Sequence, residues 1–170
     1  MKTIDVLCRA RIAPRAAPQR QRGTSAVEFA IVAPIVMLML LGLIELSMAF
    51  FADLSMQYAV REAARYAVTG QVNDDPNSAN QQQYLAVIQK MKDSSMGMYT
   101  KVNPVIIVDN TSYATSSSYT SSMFGKPGDI VVLQVKCQWK LVTPLLKAFF
   151  PGGIYQFTVG ATMQNEQYGT

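Results

Sequence analysis

From Phe29 to Ile44 the chain carries no charged residue, and after Glu45 the apolar character resumes through Phe51. A run of this length matches the roughly 20 residues that an α-helix needs to cross a bilayer. A cleaved secretory signal has an apolar stretch of only about 7–15 residues ending in a small-residue site. The stretch from Val27 to Ala52 is longer than that, so it is read as a retained transmembrane helix. Everything else in the chain must be arranged on one side of it or the other.

Charge sets the direction. Residues 1–22 hold Lys2, Arg9, Arg11, Arg15, Arg20 and Arg22 against Asp5, whereas the remaining chain has nine basic and ten acidic residues. The net charge of +4 therefore reports a basic tail and not a basic domain, and nucleic acid is not an expected partner. Arginines on one flank and few basic residues just past the other predict a cytoplasmic N-terminus and an extracytoplasmic C-terminal bulk. Residues 1–22 contain two prolines and little to bury, and read as a disordered leader.

Beyond the membrane the helical pattern continues. Asp53 to Val68 is alanine-rich, with Ala59, Ala63, Tyr66 and Ala67 on one face, and Gly70 supplies a stop. The turn cluster Asn73–Ser78 offers helix caps, and a short helix with Tyr84, Leu85, Ile88 and Met91 at helical spacing follows. Val105–Val108 is β-branched and reads as a strand. Asn110 to Met123 is rich in Ser, Thr and Tyr and is expected to be a surface loop.

The clearest strand signal follows the turn Gly125–Asp129. There Val131, Leu133, Val135, Cys137, Trp139 and Leu141 alternate with polar or exposed positions. Thr143 to Gly153 forms a connection with a short apolar helical turn, and a last strand alternates Tyr155, Phe157, Val159, Ala161 and Met163 with polar residues. These two strands should pair antiparallel and lay their apolar faces on the outer half of the long helix. The expected class is α+β: a long N-terminal helix, transmembrane half plus amphipathic outer half, packed on a small, mainly antiparallel β-sheet.

Little in this domain points to catalysis. The chain has no histidine, which removes the commonest general base and the commonest transition-metal ligand. There is no metal-ligand cluster, phosphate-binding glycine loop or nucleophile elbow, so neither an enzyme nor a metal or other cofactor is expected. Cys8 and Cys137 lie on opposite sides of the apolar run and cannot pair across a bilayer. Cys137 falls on an apolar strand face and reads as a buried, inert thiol.

The specific chemistry gathers at the head of the helix. Arg20-Gln21-Arg22-Gly23 is basic and ends in a residue without a side chain, which lets a protease hold the backbone closely. Cleavage between Gly23 and Thr24 would free an α-amino group, charged near neutral pH. Glu28 would then be the fifth residue, about one helical turn in. An unpaired carboxylate entering lipid costs on the order of 2–3 kcal/mol, which the terminal ammonium of a neighbouring helix would offset. The same acid is also explained as a carboxylate near a helix N-terminus, favoured by the macrodipole and by Arg22. These residues alone leave the two explanations even. Pro34 should kink the helix by removing one backbone bond. Glu45 lies near the outer boundary, where it would reach headgroups or water; a secondary contact with a neighbouring helix is the other reading.

Arg22 to Ala30, followed by the apolar run with Pro34, resembles the class III signal of type IV pilin-like proteins. The extensions Gly42-Leu43-Ile44-Glu45-Leu46 and Ala63-Ala64-Arg65-Tyr66-Ala67 are similar more narrowly to the TadE-like family of tight-adherence (Tad) pilus systems. Pro144-Leu145-Leu146 and the closing Ala161–Glu166 also fit that family, whereas the resemblance does not extend over about Gln71 to Gly125. The resemblance implies a pilin-like fold with three parts: a leader, 1–23, expected to be cleaved; a transmembrane helix, 24–52; and an extracytoplasmic α+β domain, 53–170. It further implies a prepilin peptidase acting after Gly23, an assembly role for Glu28, and residence in the bacterial inner membrane or in the pilus. The partners implied are other pilin and pseudopilin subunits and Tad inner-membrane assembly components. The domain is larger than that of the very short major pilins, which favours a minor pilin or pseudopilin at a pilus tip or in initiation. The alternative is an unprocessed, single-pass scaffold or surface-binding protein of the cell envelope.

Overall fold

The computed structural model describes residues 23–77 and 81–167; the basic leader 1–22, with Cys8, and Ser78 of the turn cluster lie outside the described residues. The chain divides after Val36 into two compact units. Helix α1, Thr24–Val68, begins in the first unit and ends in the second.

In the first unit α1 is apolar almost throughout. Its side chains from Ser25 to Val36 are exposed apart from the half-buried Ala33. Val27, Phe29, Ile31, Val32, Ile35 and Val36 all face outward with no core to join. A helix apolar all round and buried nowhere is suited to lipid, and α1 is long and apolar enough to cross a membrane.

In the second unit α1 turns one face inward. Ala49, Ala52, Met56, Ala59, Val60, Ala63, Tyr66 and Ala67 are buried at steps of three or four residues, while Leu54 and Tyr58 stay exposed. The small side chains let the helix backbone approach the sheet closely. α1 stops where Gly70, at φ 64, donates its amide to the Ala67 carbonyl; only a residue without Cβ adopts that left-handed turn cheaply.

Helix α2, Gln83–Ser94, adds Ala86, Val87, Ile88 and Met91 to the same core. Its start is tied down by the turn before it. The buried Asp75 carboxylate accepts the amides of Asn77 at 2.8 Å and Gln82 at 2.6 Å. The cap-like chemistry of that turn thus acts at a distance from the helix, because the residue flanking α2, Gln82, makes no side-chain cap of its own.

The sheet comprises β1 (Val105–Val108), β2 (Thr111–Tyr113), β3 (Ile130–Lys140) and β4 (Ile154–Gln164), in the order β2-β1-β3-β4. All three pairings are antiparallel. The two long strands run in full register from Ile130↔Gln164 to Lys140↔Ile154. Val131, Leu133, Val135 and Cys137 of β3 and Val159 and Met163 of β4 face the helices, as their period of two requires. The fold is α+β, with α1 and a small antiparallel sheet sharing one core.

One expectation fails. The polar stretch after Asn110 is not wholly a loop: Thr111–Tyr113 forms β2, with Val108 opposite Thr111. Asp109 and Asn110 hold φ of 46° and 67°, the left-handed pair that a two-residue hairpin turn demands. The stretch then closes on the core through Met123 and Phe124, both buried.

Candidate processing and assembly site

The first unit holds the predicted cleavage position. Gly23 is exposed, in a turn, and its carbonyl accepts the Val27 amide at 3.4 Å, a long bond. A Cβ built on Gly23 meets nothing within 4 Å. No crowding in the chain itself thus calls for a glycine here. Thr24 is the first residue of α1.

Glu28 stands one turn into α1, exposed among Val27, Phe29, Ile31 and Val32. It makes no hydrogen bond or ion pair with any described residue. Water tolerates such a carboxylate, and the positive helix end favours it; hydrocarbon tolerates it only with a partner. Pro34 lies inside α1 and is exposed. It has no amide to give the carbonyl one turn earlier, at Ala30.

Glu45 belongs to the second unit and has a built environment. Its carboxylate accepts the backbone amide of Val142 through one oxygen and that of Thr143, at 2.8 Å, through the other. Thr143 directly precedes α3, the short turn Pro144–Lys147. One turn earlier on α1, Gly42 is buried, and a Cβ there would lie 3.7 Å from Leu145 and 3.9 Å from Leu146. Gly42 thus faces the leucines, at a distance where a Cβ would make ordinary contact, while Glu45 gathers the two amides beside them. Sequence reasoning weighed Glu45 against headgroups, water and neighbouring helices, and missed Val142, Thr143 and Gly42. The available signal was the Gly42-x-x-Glu45 spacing, which sets both residues on one helical face.

Cys137 is buried, and its thiol is pushed up to about 12, first by burial and then by the charge of Asp53. The Tyr99 phenol is likewise pushed up, mainly by burial and next by Tyr119. Among the described residues no group of three or more His, Cys, Asp or Glu side chains is placed to hold a metal ion.

No curated protein and no solved structure matches the chain. A family model does. Residues 23–65, from the exposed Gly23 through Glu28, Gly42 and Glu45 to Arg65, match the model of the family described as TadE-like protein, and over that stretch the chain is similar to that family.

Proposed function

We propose that the chain is a minor pilin or pseudopilin of a Tad-type pilus, acting in its biogenesis or at its tip. The TadE-like segment supports the coarser statement, a Tad-system pilus-related protein associated with the membrane and with pilus components. The observation that carries the finer reading is the order of features along that segment. An exposed Gly23, uncrowded by the described residues, is followed one turn into the helix by the acid Glu28, without a partner among the described residues, at the head of an apolar and exposed helix.

In this reading a prepilin peptidase hydrolyses the Gly23–Thr24 bond. Water adds to the Gly23 carbonyl, Gly23 leaves as a carboxylate on the leader, and Thr24 keeps the amine, which is protonated below its pKa of about 8. The new ammonium and the Glu28 carboxylate then carry opposite charges at the start of each helix. Paired between neighbouring subunits, they set the stagger of the bundle and remove the cost of an acid in lipid. Before assembly the apolar part of α1 anchors the chain in the inner membrane, with the α+β domain on the extracytoplasmic side.

Intact mass and N-terminal sequencing of membrane and sheared-surface fractions, with and without prepilin peptidase, test this. The expected product begins at Thr24 only where the peptidase is present. A chain beginning at Met1 in both strains would sink the pilin reading and leave the unprocessed membrane-anchored scaffold.

A further inference from the structure

We propose that the connection between β3 and β4, residues 142–150, is a second membrane contact. Val142, Leu145 and Phe149 enter the outer surface of the bilayer that α1 crosses, and Lys147 meets lipid phosphates there. The proposal rests on the membrane anchoring by α1 proposed above and adds a surface of the folded domain to it.

The first argument is burial. Val142 is 77 % exposed and Phe149 76 %, although both flank a turn that the fold holds firmly. Leu145 is 42 % exposed despite its contact distance from Gly42. Within and beside the segment Leu141 is buried and Leu146 and Phe150 are half-buried, yet these three are left out. The connection is no loose loop either. Glu45 holds it at Val142 and Thr143, and Leu141 donates to the Gly153 carbonyl at 2.9 Å.

The second argument is level. The connection is fastened to α1 at Gly42 and Glu45, within a stretch whose exposed apolar side chains continue at Leu43, Ile44, Met48, Phe50 and Phe51. From Met37 to Leu41 every side chain is exposed and apolar. The connection therefore lies beside a part of α1 that is apolar and exposed both before and after the point of attachment.

The third argument is chemistry. Lys147 is exposed within the apolar turn and Lys140 is exposed at its start. A long cationic side chain beside apolar ones matches a headgroup layer over acyl chains. Tyr155, half-buried at this end of β4, is an amphipathic aromatic of the kind that favours that layer. A groove shaped for a protein partner would not need this gradation from apolar to cationic.

Site-specific fluorescence tests the proposal in the full chain. Cys8 is changed to Ser, and the buried Cys137 stays unlabelled. An NBD dye is then placed at Phe149→Cys, at Leu43→Cys on exposed α1, or at Lys126→Cys, an exposed position beside Asn165 at the opposite end of β3 and β4. Each protein is reconstituted at low density into phosphatidylethanolamine–phosphatidylglycerol vesicles containing lipid spin-labelled near the headgroup. The expected result is loss of emission at positions 149 and 43 and none at 126. Quenching at 43 without quenching at 149 overturns the membrane contact while leaving the anchor. Absence of quenching at both overturns the anchor as well. An emission change at 149 that follows the protein-to-lipid ratio, without lipid quenching, makes the patch a contact between copies and also overturns the proposal.

Discussion

Glu45 and Thr143 lie 98 positions apart, and the amide of Thr143 donates to a Glu45 carboxylate oxygen at 2.8 Å. The other oxygen takes the amide of Val142. An acid that the sequence places in an apolar helix is thus balanced by backbone donors of the same chain. The two bonds also join the first third of the chain to the connection between its last two strands, so the link from sequence to packing here runs through a single side chain.

Replacing Glu45 with Ala removes both acceptors from a half-buried site. Hydrogen bonds to charged groups contribute about 1.5–3 kcal/mol each, and solvent access lowers the net effect here to about 1–3 kcal/mol in total. Amide exchange at Val142 and Thr143 should accelerate, and Glu45→Gln should recover part of the protection by keeping one acceptor. Unchanged exchange at both amides in Glu45→Ala would show that the carboxylate does not hold the connection.

The alanine face of α1 should be intolerant of size. Ala59, Ala63 and Ala67 are fully buried against the sheet core. Ala63→Leu has to displace neighbours in a close-packed interior, at a cost of about 1–3 kcal/mol or more. Tyr58→Leu, at an exposed position on the same helix, should change stability by under about 0.5 kcal/mol. Thermal unfolding in detergent micelles compares the two; equal midpoints would mean that the face is loosely packed.

The long elements were legible because their residues repeat. The period of two in β3 and β4 and the three-to-four spacing of small residues in α1 each mark one buried face, and those faces meet in the core. β2 was not legible by that route, since a three-residue strand of Thr, Ser and Tyr buries almost nothing. Its signal was the turn: Asp109-Asn110 between extended segments tolerates the left-handed backbone that a tight hairpin requires. At the head of α1 residue types are all there is to read, because the Glu28 side chain has no partner among the described residues. The Glu45 linkage could not be read from residue types, because its partners are main-chain amides, which carry no side-chain signature.

Buried Cys137 and partly buried Tyr99 make the fold sensitive to alkali. The folded thiol is pushed from its ordinary 9.0 to about 12, so above about pH 9 the unfolded chain loses a proton that the folded chain keeps. Stability contributed by the neutral thiol is complete below pH 9 and is lost as pH rises toward 12, at up to about 1.4 kcal/mol per pH unit. Tyr99 adds a loss of the same sign above its own ordinary 10.0. Denaturation between pH 8 and 10 should show the decline, and Cys137→Ala should flatten it between 9 and 10. A wild-type protein equally stable at pH 8 and 10 would contradict the burial of the thiol.

Gly23 should matter to an enzyme and not to the fold. A side chain at this position meets open space, so Gly23→Val should leave the α+β domain and its unfolding midpoint unchanged. A protease that holds the backbone at Gly23 has no such room. The variant is expected to accumulate at full length in cells containing prepilin peptidase, as read by intact mass. Processing of Gly23→Val at the wild-type rate would show that the missing side chain is not what the protease reads.

Glu28 separates membrane insertion from assembly. In a lone subunit its carboxylate has no described partner and costs on the order of 2–3 kcal/mol in lipid, so Glu28→Ala should insert at least as well as wild type. Within a bundle the same carboxylate would face the Thr24 ammonium of a neighbour, and its removal should lower incorporation into sheared pili by roughly tenfold if the pair is worth about 1.4 kcal/mol. Glu28→Asp keeps the charge on a shorter arm and should recover part of the loss, whereas Glu28→Gln keeps the size without the charge and should not. Quantifying the protein in membrane and sheared fractions for all three variants distinguishes a charge pair from a favourable helix-end carboxylate. The latter predicts a small loss of helix stability and unaltered incorporation.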